Sequence, residues 1–149
     1  MKLRRLSVMA ASVSVAGAAI LYGATIEVDS SKTELEQQLK DALTTRAESA
    51  QSAFDAMEAS FDAETVTFSD LADATRALAE AQLALATKPE EVIAALEGHV
   101  ERAKRQEDKL KELFEAGRRG GEATVYYSAK RERESAEISL LKARLKAKP

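Results

Sequence analysis

The stretch FDAETVTFSDLADATRALAEAQLALA, residues 61–86, is the best indicator of the fold class, because its pattern recurs further along the chain. The second copy is FEAGRRGGEATVYYSAKRERESAEISLL, residues 114–141. Both copies open with an aromatic residue, an acidic residue and alanine, 53 positions apart, and both continue into a helical stretch rich in alanine. A period of roughly 50 residues indicates supersecondary units that bury their apolar faces against neighbours. The repeat therefore predicts an interaction or scaffold protein.

Apolar side chains recur at alternating spacings of three and four residues along four segments of the chain. This heptad pattern predicts helices that pack side by side in the manner of a coiled coil. Only 5% of the chain is aromatic, and alanine dominates its apolar residues. Helices that pack through alanine bury little apolar surface per residue, which favours additional packing against a partner protein. We therefore predict an all-α fold of two tandem antiparallel long-helix hairpins after an N-terminal signal or anchor helix. The four helices are predicted at residues 31–61, 68–86, 89–116 and 122–146.

The predicted helix ends depend on residues that satisfy the unpaired backbone groups of a helix terminus. Ser31 opens a capping-box pattern at the start of the first helix. Thr67 or Ser69 can cap the second helix, because a hydroxyl accepts a hydrogen bond from an open amide. Pro89 suits the first turn of the third helix, and Gly117 suits the residue that follows its end.

The N-terminal segment, residues 1–26, has the form of a secretion signal. The first five residues carry three cations, and an uncharged run rich in Ala, Val, Ser and Leu occupies residues 6–26. Small residues at 16–18 provide a cleavage site. The same run is also long enough to serve as an uncleaved inner-membrane anchor, since roughly 20 apolar residues span a bilayer. Both interpretations place the body of the protein in the periplasm or cell envelope. A buried N-terminal helix is the third alternative.

The body of the protein, residues 27–149, is predicted to hold hairpin one at residues 31–87 and hairpin two at residues 89–147. Its charge is uneven, because residues 31–100 carry 5 basic and 14 acidic side chains, whereas residues 101–149 carry 14 and 9. The acidic half is expected to pack beside the basic half and fix the pairing of the helices, unless both are merely solvated faces. Nucleic-acid binding is disfavoured, because acidic residues interrupt the basic half and stacking aromatics are scarce.

Catalytic and metal chemistry find little support in the composition. The chain has no cysteine and a single histidine, His99, which excludes disulfides, thiol catalysis and multi-histidine metal sites. His99 and Gln106 fall in the apolar seam of the third helix, where polar residues set helix register at some cost in stability. Four carboxylates on that helix have the pattern of a solvated face rather than of a pocket that shifts pKa values: Glu107, Asp108, Glu112 and Glu115. We predict no enzymatic activity, no catalytic residues, no cofactor and no metal.

Residues 61–76, FDAETVTFSDLADATR, resemble the repeat of the outer membrane efflux protein (TolC-like) family. In that family a helix ends in an aromatic-x-Ala-Gly turn, and a Leu/Asp-rich helix opening follows a short variable stretch. Here Glu64 occupies the usual glycine place, whereas the second copy keeps glycine at Gly117 and loses the Leu-Asp-Ala centre. The likeness covers residues 31–147 in motifs of low complexity. The family's β-strands and its much longer chain have no counterpart here, so no pore is expected.

The resemblance implies a periplasmic helical-hairpin protein that packs against an efflux adaptor, a channel subunit or a second copy of itself. In the family the hairpin turns contact the adaptor. This places the expected partner contacts at Glu64, Thr65, Val66, Thr67, Gly117, Arg118, Arg119, Gly120 and Gly121. For the two arginines, capping and solubilising the turn is an equally open interpretation. The alternative function is an envelope coiled-coil scaffold or chaperone-like protein unrelated to transport.

Overall fold

The computed structural model describes residues 20–118 and 122–148, with the backbone alone for residues 20–30. None of these residues lies in a β-strand. The helices are α1 (Ile20–Asp62), α2 (Phe68–Leu85), α3 (Pro89–Glu115) and α4 (Ala123–Ala147). The prediction of an all-α fold with four helices is therefore confirmed.

Helix α1 begins earlier than predicted, because it already runs through Ser31. The pattern that opens at Ser31 does not start a helix, since upstream helical carbonyls satisfy the amides that a cap would otherwise serve. The predicted signal or anchor segment, residues 1–26, lies mostly outside the described residues. Within the described part of the chain, no helix is both long and apolar enough to cross a membrane.

The chain divides into two compact units, residues 1–37 and residues 38–149. The described part of the first unit is the opening of α1, and the side chains of residues 31–37 are all exposed. The second unit contains the rest of α1 and the other three helices. All four helices contribute to its core of buried side chains, which comprises Phe54, Phe61, Phe68, Leu71, Ala72, Leu78, Leu110 and Ala129.

Burial follows the predicted heptad seams. Leu71 and Leu78, one heptad apart in α2, and Leu110, four residues after Gln106 in the seam of α3, are at most 1% exposed. Burying a leucine or phenylalanine side chain stabilises a fold by about 1.5–3 kcal/mol, so the three leucines and the three phenylalanines of this core contribute more than its two alanines.

A buried polar pair joins α2 to α3. The side-chain amide of Gln106, which is 5% exposed, donates a 2.7 Å hydrogen bond to the Thr75 hydroxyl oxygen. The Thr75 hydroxyl in turn donates to the Leu71 carbonyl at 2.8 Å. Because a buried polar group that loses its partner costs about 1–3 kcal/mol, this pair penalises any shift of one helix along the other.

Ion pairs between helices show the directions in which they run. Arg105 of α3 pairs with Glu58 of α1, and Lys109 pairs with Asp62 four residues later in both helices, so α1 and α3 are parallel. Helix α4 is antiparallel to α3, as shown by the pairs Glu97–Arg144 and Glu107–Arg133. Three of these four pairs join the acidic half to the basic half. Exposed ion pairs contribute only about 0–1 kcal/mol each. The charges therefore favour these helix neighbours and directions, but they add little to the stability of the fold.

Candidate interaction site at the two-turn end

The turn between α1 and α2 and the turn between α3 and α4 lie at the same end of the residue 38–149 unit. The Arg118 guanidinium of the second turn is 3.2 Å from the Glu64 carboxylate of the first. We call this region the two-turn end and define it as residues 63–67 with Gly117, Arg118 and Glu122. The connection between α2 and α3, residues 86–88, lies at the opposite end.

The first turn ends α1 in a Schellman motif, in which a left-handed residue closes the helix. Glu64 is that residue, with φ at 59°. The Glu64 amide donates to the Phe61 carbonyl at 3.0 Å, and the Thr65 amide donates to the Ser60 carbonyl at 3.0 Å. The Thr65 hydroxyl donates to the same Ser60 carbonyl at 2.9 Å. These bonds satisfy carbonyls that the end of the helix leaves open.

The second turn ends α3 in the same motif. Gly117 has φ at 62°. Its amide donates to the Phe114 carbonyl at 3.1 Å, and the Arg118 amide donates to the Leu113 carbonyl at 2.9 Å. Each donor and acceptor lies 53 positions after its counterpart in the first turn. The repeat of the openings FDAE and FEAG is thus a repeat of the geometry that ends a helix.

The two turns differ in the residue that takes the left-handed conformation. Glycine adopts it freely, whereas a residue with a Cβ pays about 1–2 kcal/mol, and Glu64 bears that cost. Its carboxylate accepts a hydrogen bond from Arg118. Both side chains are more than half exposed, so their pairing orients one turn against the other without adding much stability.

The turns also differ where the next helix begins. Thr67, one of the two predicted candidates, caps α2: the Asp70 amide donates to the Thr67 hydroxyl oxygen at 3.3 Å, and the Thr67 amide donates to the Asp70 carboxylate at 2.9 Å. The hydrogen bonds from the hydroxyl and the amide of Thr67 hold the pKa of Asp70 below its ordinary value, because they favour the ionised carboxylate. Helix α4 starts after Glu122, whose side chain makes no capping bond.

A cavity of about 340 Å³ opens at the two-turn end. This volume is at the lower limit of small-ligand sites and accommodates one or two side chains of a partner. Its walls are mainly apolar, while Glu64, Thr65, Thr67 and Glu122 supply the polar groups. The apolar lining residues are Phe61, Val66, Phe68, Leu113 and Val125.

Three aromatic rings form a cluster beside the second turn. Phe114 and Tyr126 stack with their centroids 5.7 Å apart and an interplanar angle of 8°. Tyr126 also contacts Tyr127, at 5.2 Å between centroids. Phe114 remains 41% exposed and Tyr127 57% exposed. Rigid aromatic side chains of this kind are enriched at protein interfaces.

The structure brings six of the nine predicted contact residues together at one end: Glu64, Thr65, Val66, Thr67, Gly117 and Arg118. The other three, Arg119, Gly120 and Gly121, lie outside the described residues. Five further residues line the cavity and were not among the predicted contacts: Phe61, Phe68, Leu113, Glu122 and Val125. The sequence carried a signal for the four apolar ones, since an apolar residue close to a helix terminus has its side chain beside the turn.

His99 lies in the seam of α3, partly buried, as predicted. Burial lowers the pKa of His99 and the nearby Arg102 lowers it further, while Glu132 opposes the shift. Among the residues that the structure describes, no three His, Asp or Glu side chains are grouped closely enough to hold a metal ion.

Comparison of the chain with protein-family models, with curated proteins and with solved structures finds no match.

Proposed function

We propose that this protein is an exported helical-hairpin protein of the cell envelope that docks its two-turn end on a protein partner. In this proposal the body consists of two antiparallel hairpins in tandem, packed like a coiled coil, after a signal or anchor segment at residues 1–26. The observation that carries the proposal is the convergence of the two repeated turns on one cavity, with Glu64 of one turn bound to Arg118 of the other.

The chemistry of that end supports a recognition surface. Phenylalanine, leucine and valine side chains line the cavity, and its two charged residues, Glu64 and Glu122, are exposed. Phe114 and Tyr127, at the helix ends beside the second turn, are partly exposed apolar residues at the same end of the unit. An apolar centre with a polar surround is the arrangement in which one anchoring side chain of a partner gives most of the binding energy.

The partner in this proposal is a transport component of the envelope, either an efflux adaptor or a channel subunit. The resemblance of residues 61–76 to the TolC-like repeat supports this choice. In the proposed complex an apolar side chain of the partner enters the cavity, and a basic residue beside it pairs with the Glu122 carboxylate, which makes no capping bond in α4. Self-association through the same end is the competing arrangement.

Export is tested by the mature N-terminus and by cell fractionation. Intact-mass analysis of protein from native cells is expected to show either a chain shortened within residues 16–26 or a full-length chain in the inner membrane. Protease added to cells with an opened outer membrane is expected to digest the body in both cases. A body that stays protected until the inner membrane is broken would contradict export.

Docking is tested with two matched threonine variants of the full-length chain. Thr65→Arg places a long cation at the two-turn end, and Thr87→Arg places the same side chain at the opposite end, where the threonine is also exposed and also follows a helix. Each variant is used to capture partners from native envelopes, and each captured protein is then purified and titrated. We expect Thr65→Arg to lose the partner and Thr87→Arg to keep it, with unchanged circular dichroism for both. Equal binding by both variants would contradict the proposal.

A further inference from the structure

Helix α4 is apolar on two opposite faces. The face toward the core is made of small residues with one leucine, and its buried members are Ala129, Ala136 and Leu140. The larger aliphatic residues point outward: Ile138 is 52% exposed, Leu141 57% and Leu145 70%. Because an apolar stripe on a helix is normally buried, the outward stripe lacks the contact that its composition requires.

Lysines border this outward stripe. Residues 138–148 include four basic side chains and no acidic one. Arg144 pairs with Glu97 at 2.7 Å, whereas none of the three lysines forms an ion pair with another described residue. On the helix surface, Lys142 and Lys146 lie on one side of the stripe and Lys148 lies on the other. We call Ile138, Leu141, Lys142, Leu145, Lys146 and Lys148 the lysine face.

A groove of about 410 Å³ adjoins the lysine face, between the end of α4 and the start of α3. Pro89, Val92 and Ala143 are among its apolar walls, and Lys142 and Lys146 also line it. None of the residues that line the groove is acidic. The groove thus combines apolar walls with two ammonium groups. The walls suit the acyl chains of a phospholipid, and the ammonium groups suit its phosphate.

We propose that the lysine face binds the surface of a membrane that contains anionic lipids. The three aliphatic side chains enter the boundary between headgroups and acyl chains, and the lysines extend to the lipid phosphates. A second copy of the chain is a poorer occupant, because a twofold contact through this face places lysines of both copies together. This inference depends neither on the docking of the two-turn end nor on the identity of its partner.

The test uses the full-length chain with a single fluorophore, since the natural sequence has no tryptophan. Leu145→Trp reports on the lysine face, and Phe114→Trp reports on the two-turn end as a control. Each protein is mixed with vesicles of phosphatidylcholine alone or of phosphatidylcholine with phosphatidylglycerol, with and without brominated acyl chains. We expect the emission of Trp at position 145 to shift to the blue and to be quenched only by the anionic vesicles. We expect no change for Trp at position 114.

A charge variant in the Leu145→Trp background measures the role of the lysines. We expect a triple variant to bind anionic vesicles about a hundredfold more weakly, since each basic residue near such a surface contributes about fivefold in affinity. The three changes are Lys142→Gln, Lys146→Gln and Lys148→Gln. Added salt is also expected to weaken the binding of the parent protein to anionic vesicles. The added Thr65→Arg change should leave this binding intact, which separates it from docking.

Three outcomes would overturn the inference. In the first, the chain binds vesicles through another segment while the tryptophan at position 145 stays unquenched. In the second, its emission shifts with protein concentration in the absence of vesicles, which would show that a second copy covers the face. In the third, the lysine variant binds anionic vesicles as tightly as its parent.

Discussion

The turn at residues 63–67 and the turn that begins at Gly117 close their helices with the same hydrogen bonds but with different residues. In the second turn glycine takes the left-handed conformation at no steric cost, while in the first turn Glu64 takes it with a Cβ. The Glu64 side chain provides a carboxylate that accepts a hydrogen bond from Arg118. Because the same two hydrogen bonds close both helices, the backbone of the turn is fixed in either case, and the left-handed residue can differ in its side chain.

The turns share the core beneath them, and the largest effect is expected there. Leu110 is fully buried and belongs to the cluster that contains Phe61 and Phe68. Leu110→Ala is expected to lower the free energy of unfolding by about 2–5 kcal/mol through lost burial and the cavity left behind. Leu141→Ala, on the exposed face of α4, is the matched control and should stay within about 0.5 kcal/mol. Denaturant titration of both variants checks this, and similar losses in the two would show that no common core lies under the turns.

Exchanging the left-handed residues should give effects of opposite sign. Gly117→Ala is expected to destabilise by about 1–2 kcal/mol, and the cost is conformational because a Cβ at Gly117 meets no atom within 4 Å. Glu64→Gly relieves the same strain and is expected to stabilise by up to about 1 kcal/mol, after the loss of an exposed ion pair. Thermal or chemical unfolding measures both. A loss of stability in both variants would refute the equivalence of the two turns.

The starts of α2 and α4 offer a smaller contrast. Thr67→Ala removes the cap of α2 and is expected to cost about 1 kcal/mol. Glu122→Ala removes a side chain that makes no capping bond, so it should change the free energy of unfolding by less than about 0.5 kcal/mol. Equal losses, measured by denaturant titration, would mean that the capping box does not distinguish the two turns.

The smallest effect is expected from pH, at His99 on the seam. Its pKa in the folded protein lies below the ordinary value of about 6.5, because burial and Arg102 oppose the cation, with Arg76 adding to them and Glu132 opposing. The unfolded chain therefore binds more protons below about pH 6.5, and stability falls as the pH drops from there through the folded pKa. His99→Gln is expected to flatten this slope. The pKa values of Asp70 and Glu91 are also lowered, but carboxylates titrate at a lower pH, about 4. An unchanged slope would contradict the assignment to His99.

Much of the fold could be predicted because its signals are local. Thr67 and Gly117 fix helix ends through hydrogen bonds within a few residues, and Pro89 fixes the start of α3 through its restricted φ. The predicted ends of α2 and α3 agree with the structure to within one residue. The predicted start of α1 was wrong, because the capping-box pattern at Ser31 competes weakly with continuous helical hydrogen bonding.

The joining of the turns could not be predicted in the same way. Glu64 and Arg118 are 54 positions apart, and their contact depends on how α1 and α3 pack side by side. Similarly, the outward stripe of α4 is hidden in the sequence, because alanine and leucine both count as apolar. Only the structure shows that Ala136 is 2% exposed while Leu145 is 70% exposed.

Site-specific cross-linking tests most directly whether the repeated turns form one contact surface. The chain has no cysteine, so Thr65→Cys and Thr87→Cys each place a single thiol, at the two-turn end and at the opposite end. Both full-length variants carry the same cleavable cross-linker in native envelopes, and the captured protein is purified and bound again to the unmodified chain. We expect one saturable partner to be captured at position 65 and to be missing at position 87. The same partner captured equally at both positions, or only at position 87, would contradict this expectation.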